Sequence, residues 1–455
     1  MKIIATSEKT FDRELARITN RLVEQERSQP AWIRRKTVET FGKALSPSEV
    51  VRTIIADVRR KGDSAVLKYA RKIDGLRVKS AAGLRVPPDE IAAAPSRIDA
   101  GLYAAIRTAV ENVRRYQEHI ITRDPEPIQS GGRTLWARYR PVDVAGAYVP
   151  GGLAPYPSSL LMAAVPALVA GVRRVFVCTP SARDGSMNPV LLAAAHASGV
   201  SEIYRAGGVQ GIAAMAFGTG TIPRADKIVG PGNYLVMLAK KEVFGYADID
   251  LFAGPSEILV LADDSSDAAF VAADLLSQAE HGSRASAILV TTSRKLARKV
   301  DREVARQVAS LPNRAVAEES MDLYGAAIVC RSVDECIDIA NRIAPEHLEI
   351  LFAEPERYVD RIRNAGAIFV GPHTPEPVGD YLAGSSHILP TAGTARFFSG
   401  LSANSFLKRI SVVRYTEGAL KEDTPPIAAI ARAEGFEAHA RSAEIRMKNK
   451  KEKRS

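Results

Sequence analysis

Histidines in the second half of this chain recur beside carboxylate or amide side chains at short spacing. Four of the seven histidines have such a neighbour. Zinc takes imidazole nitrogen and carboxylate oxygen as ligands, and catalytic zinc sites gather them from distant segments. A single pair of this kind would more often be a satisfied, partly buried side chain, so the recurrence carries the prediction. The four pairs are Gln278 with His281, Glu346 with His347, Asp380 with His387, and Glu434 with His439.

A zinc shell without thiolate could be assembled from four of these residues. The candidate shell is Gln278, His281, Asp380 and His439. A side-chain amide is a weak zinc ligand, so this shell would leave room for a substrate group. If the last segment is one helix, Glu434 and His439 point about 140° apart and cannot both face one small ion. One of them is therefore expected to bind metal and the other to bind something else.

Glu346 and His347 offer acid–base chemistry. They lie in the segment APEHLEI, where Pro345 is expected to end a helix before a strand begins. A histidine with a near-neutral pKa can take a proton from an alcohol or a hydrated aldehyde, and an adjacent carboxylate can activate water. The plainer interpretation is a loop cap with an exposed ion pair. The segment by itself favours this plainer interpretation, until the other motifs of the chain are counted.

The first candidate pair ends the stretch AGPSEILVLADDSSDAAFVAADLLSQAEHG. A strand is expected over residues 258–261, and polar residues 263–266 supply capping groups for the helix that follows. Phe270 belongs to the apolar positions that recur at helical spacing in this helix. Gln278 and His281 are three residues apart, so they are expected on one helix face at its end.

Short apolar strands alternate with helices from residue 142 to about residue 371, as in RVFVCTP, SEIYRAGG and AILVTTS. This rhythm predicts parallel sheets covered on both faces, most simply two Rossmann-like halves in sequence. A hairpin is expected at IQSGGRTLWARYRPV, and helices at both ends of the chain. The expected fold class is therefore α/β, with two Rossmann-like parallel-sheet domains and small helical N- and C-terminal elements.

No GxGxxG fingerprint occurs in the chain, so the fold rhythm alone does not predict a dehydrogenase. Three other glycine clusters, VPGG, AGGVQG and VGPGN, follow predicted strands. Open α/β sheets bind ligands at the carboxyl ends of their strands, and glycine there lets backbone N–H groups approach phosphates. Each cluster alone favours a structural turn, whereas three at one sheet edge fit a nucleotide site as well as they fit structural turns.

Composition excludes several other classes of protein. The 455 residues carry a net charge of +10, which could indicate nucleic-acid binding, but no aromatic residues interleave with the basic ones. Three cysteines without a CxxC pair fit a reducing compartment. No apolar segment reaches the roughly 20 residues of a membrane span, so a cytoplasmic protein without nucleic-acid or membrane partners is expected. Much of the positive charge lies in a C-terminal tail, at Lys448, Lys450, Lys451, Lys453 and Arg454.

Motifs along nearly the whole chain resemble the histidinol dehydrogenase family. They are AGPSE with LLSQAEHG, APEHLEI, VGDYLAG followed by HILPTAGTAR and SGLS, and EGFEAH. The resemblance implies a zinc-dependent homodimer that oxidises L-histidinol through L-histidinal to L-histidine and reduces two NAD, the last step of histidine biosynthesis. The alternative is a paralogous zinc and NAD alcohol dehydrogenase that acts on another diol, such as a sulfonated propanediol. An anionic substrate should require arginine or lysine near the zinc, whereas Glu434 favours a cation.

The resemblance also implies residue roles. Gln278, His281, Asp380 and His439 would hold one zinc per subunit, with His439 donated by the partner subunit to a shared active site. Glu346 and His347 would be the catalytic acid–base pair. The implied substrate contacts are Ser256, Gln278, His281, His347, Asp380, His387, Glu434 and His439, and the implied NAD contacts are Tyr148, Gln210 and Asn233. One departure is that Ser385 and Ser386 precede His387, where the family commonly has asparagine.

The expected domain organisation follows from these assignments. Residues 1–30 form an N-terminal helical element. Residues 31–141 together with 254–395 form a first α/β domain that carries the zinc and acid–base residues. Residues 142–253 form a second Rossmann-like domain that binds NAD, and residues 396–455 form a C-terminal helical domain that reaches the partner subunit.

Overall fold

A computed structural model describes residues 1–19, 31–151, 155–252 and 254–447 of the chain. The basic C-terminal tail and much of the expected N-terminal helix lie outside the described residues. The chain divides into two compact units. The first contains Met1–Ile121 and Val142–Phe406, and the second contains Thr122–Pro141 and Leu407–Ser455. The finer division at residues 30, 141, 253 and 395 stays a prediction.

The described strands form three sheets. In chain order they are β1 (Lys2–Ala5), β2 (Ile128–Ser130), β3 (Arg133–Pro141), β4 (Val144–Tyr148), β5 (Arg174–Thr179), β6 (Ile203–Arg205), β7 (Lys227–Val229), β8 (Asp248–Ile249), β9 (Glu257–Ala262), β10 (Ser286–Thr291), β11 (Gly325–Val329), β12 (His347–Leu351), β13 (Ala367–Val370) and β14 (Leu407–Tyr415).

The described α-helices surround the sheets of the first unit and continue into the second. They are α1 (Phe11–Thr19), α2 (Ala31–Phe41), α3 (Pro47–Lys61), α4 (Asp63–Tyr69), α5 (Pro88–Ala92), α6 (Ala100–Ile120), α7 (Pro157–Val169), α8 (Pro189–Ser198), α9 (Gly208–Phe217), α10 (Tyr234–Val243), α11 (Ala268–Ala279), α12 (Arg294–Val308), α13 (Arg314–Tyr324), α14 (Val333–Ile343), α15 (Pro377–Tyr381), α16 (Glu417–Ala433) and α17 (Glu437–Glu444). A π-helical turn spans Ala70–Asp74, and 3₁₀ turns span Ala81–Leu84, Ala94–Arg97, Pro355–Arg361, Thr394–Arg396 and Ala403–Phe406.

Two parallel sheets make up the first unit. The six-stranded sheet has the order β1-β11-β10-β9-β12-β13, and the five-stranded sheet has the order β6-β5-β4-β7-β8. If β1 is set aside, both sheets arrange their successive strands as third, second, first, fourth and fifth. This is the order of a Rossmann-like sheet, so the predicted α/β class with two such sheets is confirmed. Strand β1 comes from the start of the chain and extends the first sheet beside β11.

Both faces of the six-stranded sheet are covered, which explains why its strands are continuous apolar runs. In β9, Ile258 and Val260 pack into one core with residues of α11 and α12. Leu259 and Leu261, which point to the opposite face, pack into a second core with residues of α1 and α14. Side chains alternate between the faces of a strand, so each run fills two cores at once.

Helix α11 follows β9 as expected, but its start differs in detail from the prediction. Asp267 caps it by accepting a hydrogen bond from the Ala269 N–H group, and residues 263–266 form the preceding turn. Phe270 was placed on the apolar face, yet it is 48% exposed. The buried face consists of Val271, Leu275 and Leu276, which point back toward the sheet.

The second unit contains an antiparallel sheet and two helices. Strands β2 and β3 form the predicted hairpin, with Gly131 and Gly132 both at positive φ in its turn. Strand β14 pairs with β3 along its whole length, and the sequence did not reveal it. The last segment is not one helix, because the chain breaks between α16 and α17 at Gly435, where φ is 81°. The expected angle of 140° between Glu434 and His439 therefore does not apply.

None of the helices in the described ranges combines the length and the apolar character needed to cross a membrane.

Candidate active site

A cavity of about 550 Å³ in the first unit brings most of the predicted site residues together. It lies between the amino edge of the six-stranded sheet and the carboxyl edge of the five-stranded sheet. Strands β9 and β12 are neighbours there, with Ile258 opposite His347. This register places the residues just before both strands side by side. The predicted residues lining the cavity are Ser256, Gln278, His281, Glu346, His347, Asp380 and His387, together with Tyr148 and Asn233.

His347 is held as a neutral base. Its Nδ1 atom lies 2.9 Å from the backbone oxygen of Glu257, which can only accept, so Nδ1–H donates and Nε2 keeps its lone pair. The side chain is buried, and burial lowers its pKa below the ordinary value. Nε2 has no hydrogen-bond partner among the described residues. The arrangement suits an imidazole that takes a proton from a group in the cavity.

Glu346 is the second member of the predicted acid–base pair. Its Oε2 atom accepts a hydrogen bond of 2.9 Å from the Glu257 N–H group and lies 3.7 Å from Nδ1 of His347. Burial raises its pKa well above the usual range, and the negative charge of Glu257 adds to this effect. A carboxylate with a raised pKa is a stronger base, which suits the activation of water.

Gln278 is a buried amide in the last turn of α11. The side chain is 0% exposed, yet neither Oε1 nor Nε2 finds a partner within the described part of the chain. A buried amide without hydrogen bonds is costly, so its retention here indicates a ligand in the cavity. His281 lies beyond the end of the helix, in a turn, and is exposed. Its backbone N–H group donates a hydrogen bond of 3.1 Å to the Gln278 carbonyl group.

Three side chains converge next to the cavity in an arrangement that could hold a metal ion. Nε2 of His347 lies 3.5 Å from Oε1 of Glu376 and 3.8 Å from Oδ1 of Asp380. One ligand atom from each residue lies within 4.8 Å of the other two. Burial raises the pKa of Asp380 to about 9, and the nearby charge of Glu376 contributes. A bound cation would stabilise the ionised form of these carboxyl groups.

Glu376 belongs to a row of buried carboxyl groups that the sequence did not predict as site residues. Its N–H group donates to Oε1 of Glu349 at 2.8 Å. Burial and the charge of Asp274 raise the pKa of Glu349 well above the usual range, and burial raises that of Asp274 to about 6. The sequence signal that could have revealed these buried carboxyl groups is Glu349, a glutamate inside the otherwise apolar strand sequence HLEIL. Carboxyl groups this close together favour a cation at the adjoining site.

His387 is also neutral and has a fixed orientation. Its Nδ1–H group donates to the backbone oxygen of Asp380 at 3.2 Å, and the Ser159 hydroxyl group donates to Nε2 at 3.4 Å. Burial lowers its pKa to about 4. Ser256 lines the cavity beside it, and the Ser256 carbonyl group accepts a hydrogen bond of 3.0 Å from Ser286.

The three predicted NAD contacts line a second cavity, of about 690 Å³, at the carboxyl edge of the five-stranded sheet. The Tyr148 hydroxyl oxygen accepts a hydrogen bond of 3.1 Å from Gly208 N–H. Nε2 of Gln210 donates to Asp74 at 2.7 Å, and Asn233 caps α10 through its side-chain oxygen. Tyr148 and Asn233 line both cavities, so a ligand in the second cavity could reach the first.

A buried ion pair fixes the backbone of the loop before α10. Lys240 contacts Asp250, and both side chains are at most 2% exposed. Lys240 also donates to the Gly230 carbonyl group at 2.9 Å, while Asp250 accepts from Gly230 N–H at 2.7 Å. Gly230 has a φ of 115°, and a Cβ atom there would overlap the Tyr148 carbonyl group. The backbone that leads to Asn233 is therefore tightly constrained.

Glu434 and His439 belong to the second unit. Both are exposed, Glu434 at the end of α16 and His439 on α17. The ring of His439 lies 5.2 Å from the ring of Phe436, which is 52% exposed. Their roles toward zinc and substrate stay predictions.

Comparison with known proteins gives consistent similarities over most of the chain. A family model described as histidinol dehydrogenase matches residues 40–447. The chain is 48% identical over 413 residues to the histidinol dehydrogenase of Geobacillus kaustophilus, with 91% of this chain and 96% of that protein covered. It is 50% identical over 396 residues to that of Moorella thermoacetica, with coverages of 87% and 93%. A crystal structure of histidinol dehydrogenase from Elizabethkingia anophelis matches with a TM-score of 0.87 and 35% identity over 98% of both chains.

Proposed function

Because this chain belongs to the histidinol dehydrogenase family, we propose that it oxidises L-histidinol through L-histidinal to L-histidine and reduces two NAD, the last step of histidine biosynthesis. The observation that carries this proposal is the buried, neutral His347, whose Nε2 lone pair has no partner among the described residues. It faces a cavity that adjoins the cavity lined by the predicted NAD contacts.

The proposed first step is the oxidation of an alcohol to an aldehyde. Nε2 of His347 takes the hydroxyl proton, and the nicotinamide ring, when bound, would accept the carbon-bound hydrogen as hydride. The Nδ1–H bond to the Glu257 carbonyl group keeps the ring oriented and stabilises its protonated form. Glu346 then takes a proton from water as the water adds to the aldehyde carbon. A second hydride and a second proton leave the hydrate, which gives the carboxylate.

Zinc fits the residues at this site. The orphaned amide of Gln278, the exposed imidazole of His281 and the carboxylate of Asp380 line one cavity, and they offer nitrogen and oxygen donors without thiolate. We assign these three residues and His439 of the partner subunit as the ligands. When bound, zinc would position the substrate's imidazole and amine and would act secondarily as a Lewis acid.

The convergence of His347, Glu376 and Asp380 offers a rival metal site. Metal content distinguishes the two assignments. Under our assignment, His347→Asn loses turnover but keeps one zinc per subunit, because the substitution removes the base and none of the zinc ligands. Loss of zinc from this variant, measured by elemental analysis after dialysis, would instead make His347 a ligand and refute its role as the base.

We further propose a homodimer in which the second unit of one subunit completes the active site of the other. The second unit exposes several large apolar side chains, which a subunit contact would cover. They include Ile128, Val413, Ile430, Phe436 and Ile445. Glu434 would provide a negative charge for the substrate ammonium group, and His439 would complete the zinc shell.

Mixing two inactive variants tests the shared site. His347→Asn lacks the base, and His439→Asn lacks the partner's ligand. If sites are shared, each mixed dimer contains one intact site. Random reassociation of equal amounts should then restore about a quarter of the wild-type specific activity, because half the dimers are mixed and each has one working site of two. Mixtures as inactive as the separate variants, with subunit exchange shown by tagged chains, would contradict the shared site.

Substrate choice is tested with the zinc-loaded enzyme. The cavity contains Glu346 and Asp380 against one arginine, Arg284, and therefore favours a cationic substrate over an anionic one. NADH should form with L-histidinol, cease after chelation and return with zinc. Rapid turnover of a sulfonated propanediol with none of L-histidinol would select the paralogous alcohol dehydrogenase instead.

A further inference from the structure

A dinucleotide site needs a group that recognises ribose. In Rossmann folds, an acidic residue at the end of the second strand commonly accepts hydrogen bonds from the ribose hydroxyl groups and disfavours a 2′-phosphate. The second strand of the five-stranded sheet is β5, and Pro180 and Ser181 follow it. The nearest acid, Asp184, accepts hydrogen bonds from the backbone and hydroxyl group of Ser186 and does not line the cavity. The usual position therefore lacks a carboxylate.

Another segment brings one charge into this cavity. Of the described residues that line it, Asp74 alone is charged. Asp74 ends the π-helical turn that follows α4, and Gly75 reverses the chain with a φ of 72°. The same turn is anchored by Tyr69 and Ala70, both at most 1% exposed in the core beneath the five-stranded sheet. Single π-helical turns within helices often occur at functional sites, and this one fixes the carboxylate on a rigid element.

The carboxylate of Asp74 also orients a predicted cofactor contact. Its Oδ2 atom accepts a hydrogen bond of 2.7 Å from Nε2 of Gln210, whose side chain is 1% exposed. This bond fixes the amide so that Oε1 of Gln210 is its remaining acceptor. A carboxylate has about four acceptor positions, so one carboxylate can accept hydrogen bonds from more than one partner.

We propose that Asp74 binds a ribose of the dinucleotide and makes the enzyme select NAD over NADP. This inference rests on the proposed function, since it requires a nicotinamide dinucleotide in the second cavity. The acid usually found after the second strand is replaced by one from the helical segment before the sheet. The negative charge of Asp74 would disfavour the 2′-phosphate of NADP.

The test measures binding of NADH and NADPH to the full-length, zinc-loaded protein by the fluorescence of the reduced nicotinamide. Wild type should bind NADH more tightly than NADPH. Asp74→Asn keeps an acceptor for Gln210 but removes the charge. It should weaken NADH about tenfold or more, as expected for a lost hydrogen bond to a charged group, and should reduce the preference over NADPH by a similar factor. L-Histidinol binding should not change.

Two further variants separate recognition from folding. Asp89→Asn removes an exposed carboxylate outside the cavity and should leave both dissociation constants unchanged. If Asp74→Asn melts at a lower temperature, Asp74→Ser should show the same loss of preference. An unchanged ratio of the NADH and NADPH dissociation constants in the folded variant would overturn the role of Asp74. A wild-type protein that binds neither nucleotide would instead overturn the proposed function.

Discussion

The orphaned amide of Gln278 predicts that the metal-free protein is destabilised by its own active site. The side chain is 0% exposed, and both Oε1 and Nε2 lack a partner among the described residues. Each unsatisfied buried polar atom costs about 1–3 kcal/mol. Methionine has nearly the same length and shape without those atoms. Gln278→Met should therefore stabilise the zinc-free protein by about 2 kcal/mol or more.

Zinc should make wild type more stable than Gln278→Met, which reverses the order expected for the zinc-free proteins. At a free zinc concentration 1,000 times its dissociation constant, wild type should gain about 4 kcal/mol, whereas Gln278→Met should gain far less. The measurement is urea unfolding with chelator and with zinc, with the m-values compared to confirm that the same transition is observed.

A second buried glutamine provides the matched control. Gln117 is also 0% exposed, but its Oε1 atom accepts a hydrogen bond of 2.8 Å from the Ala403 N–H group. Its Nε2 atom has no partner among the described residues, so Gln117→Met would remove one unsatisfied atom and create another at the Ala403 N–H group. The two effects oppose each other, so the free energy of unfolding should change much less than in Gln278→Met, and equally with or without zinc. If zinc-free Gln278→Met is less stable than zinc-free wild type, the amide is not held in place for a ligand, and the reasoning fails.

Two further predictions concern the cofactor loop and the helices beneath the five-stranded sheet. Gly230→Ala should raise the NADH dissociation constant about tenfold, because the added Cβ atom overlaps the Tyr148 carbonyl group and shifts the loop. Gly245→Ala is the control, because Gly245 also has a positive φ but a Cβ atom there would have no atom within 4 Å. Equal effects of the two substitutions on the dissociation constant would contradict the clash. Hydrogen bonds from Tyr69 and Lys68 lower the pKa of Asp57 to about 2, so its contribution to stability is present above pH ~4 and is lost as the pH falls toward 2. Asp57→Asn should thus lower the free energy of unfolding by about 1–2 kcal/mol at pH 7 and by less at pH 3. If the difference in urea midpoint between wild type and this variant is the same at both pH values, the lowered pKa of Asp57 is contradicted.

Local patterns predicted the parallel sheets well. Strands such as β9 and β10 are short runs of Ile, Leu and Val between helices, and this pattern depends only on neighbouring residues. Gln278 and His281 were recognisable for the same reason, since they are three positions apart in sequence. The prediction that they share one helix face was wrong for His281, because the helix ends at Ala279. The motif resemblance supplied the roles of residues far apart in sequence.

Other features depend on contacts that no local pattern encodes. Strand β1 pairs with β11 across more than three hundred residues, and β14 pairs with β3 across more than 260 residues. Nor does the strand rhythm indicate that the cavity with the candidate site residues lies between the amino edge of one sheet and the carboxyl edge of the other. Glu376 looks like an ordinary loop glutamate until folding buries it beside His347. The break at Gly435 depends on one residue that a continuous helical pattern conceals.

The most direct test of the proposed reaction is the count of NADH molecules formed per molecule of L-histidinol. With limiting L-histidinol, excess NAD and the zinc-loaded enzyme, two NADH and one L-histidine should form, because His347 is proposed to serve both oxidations and Glu346 the hydration between them. One NADH per substrate with an aldehyde product, or no NADH at all, would contradict it.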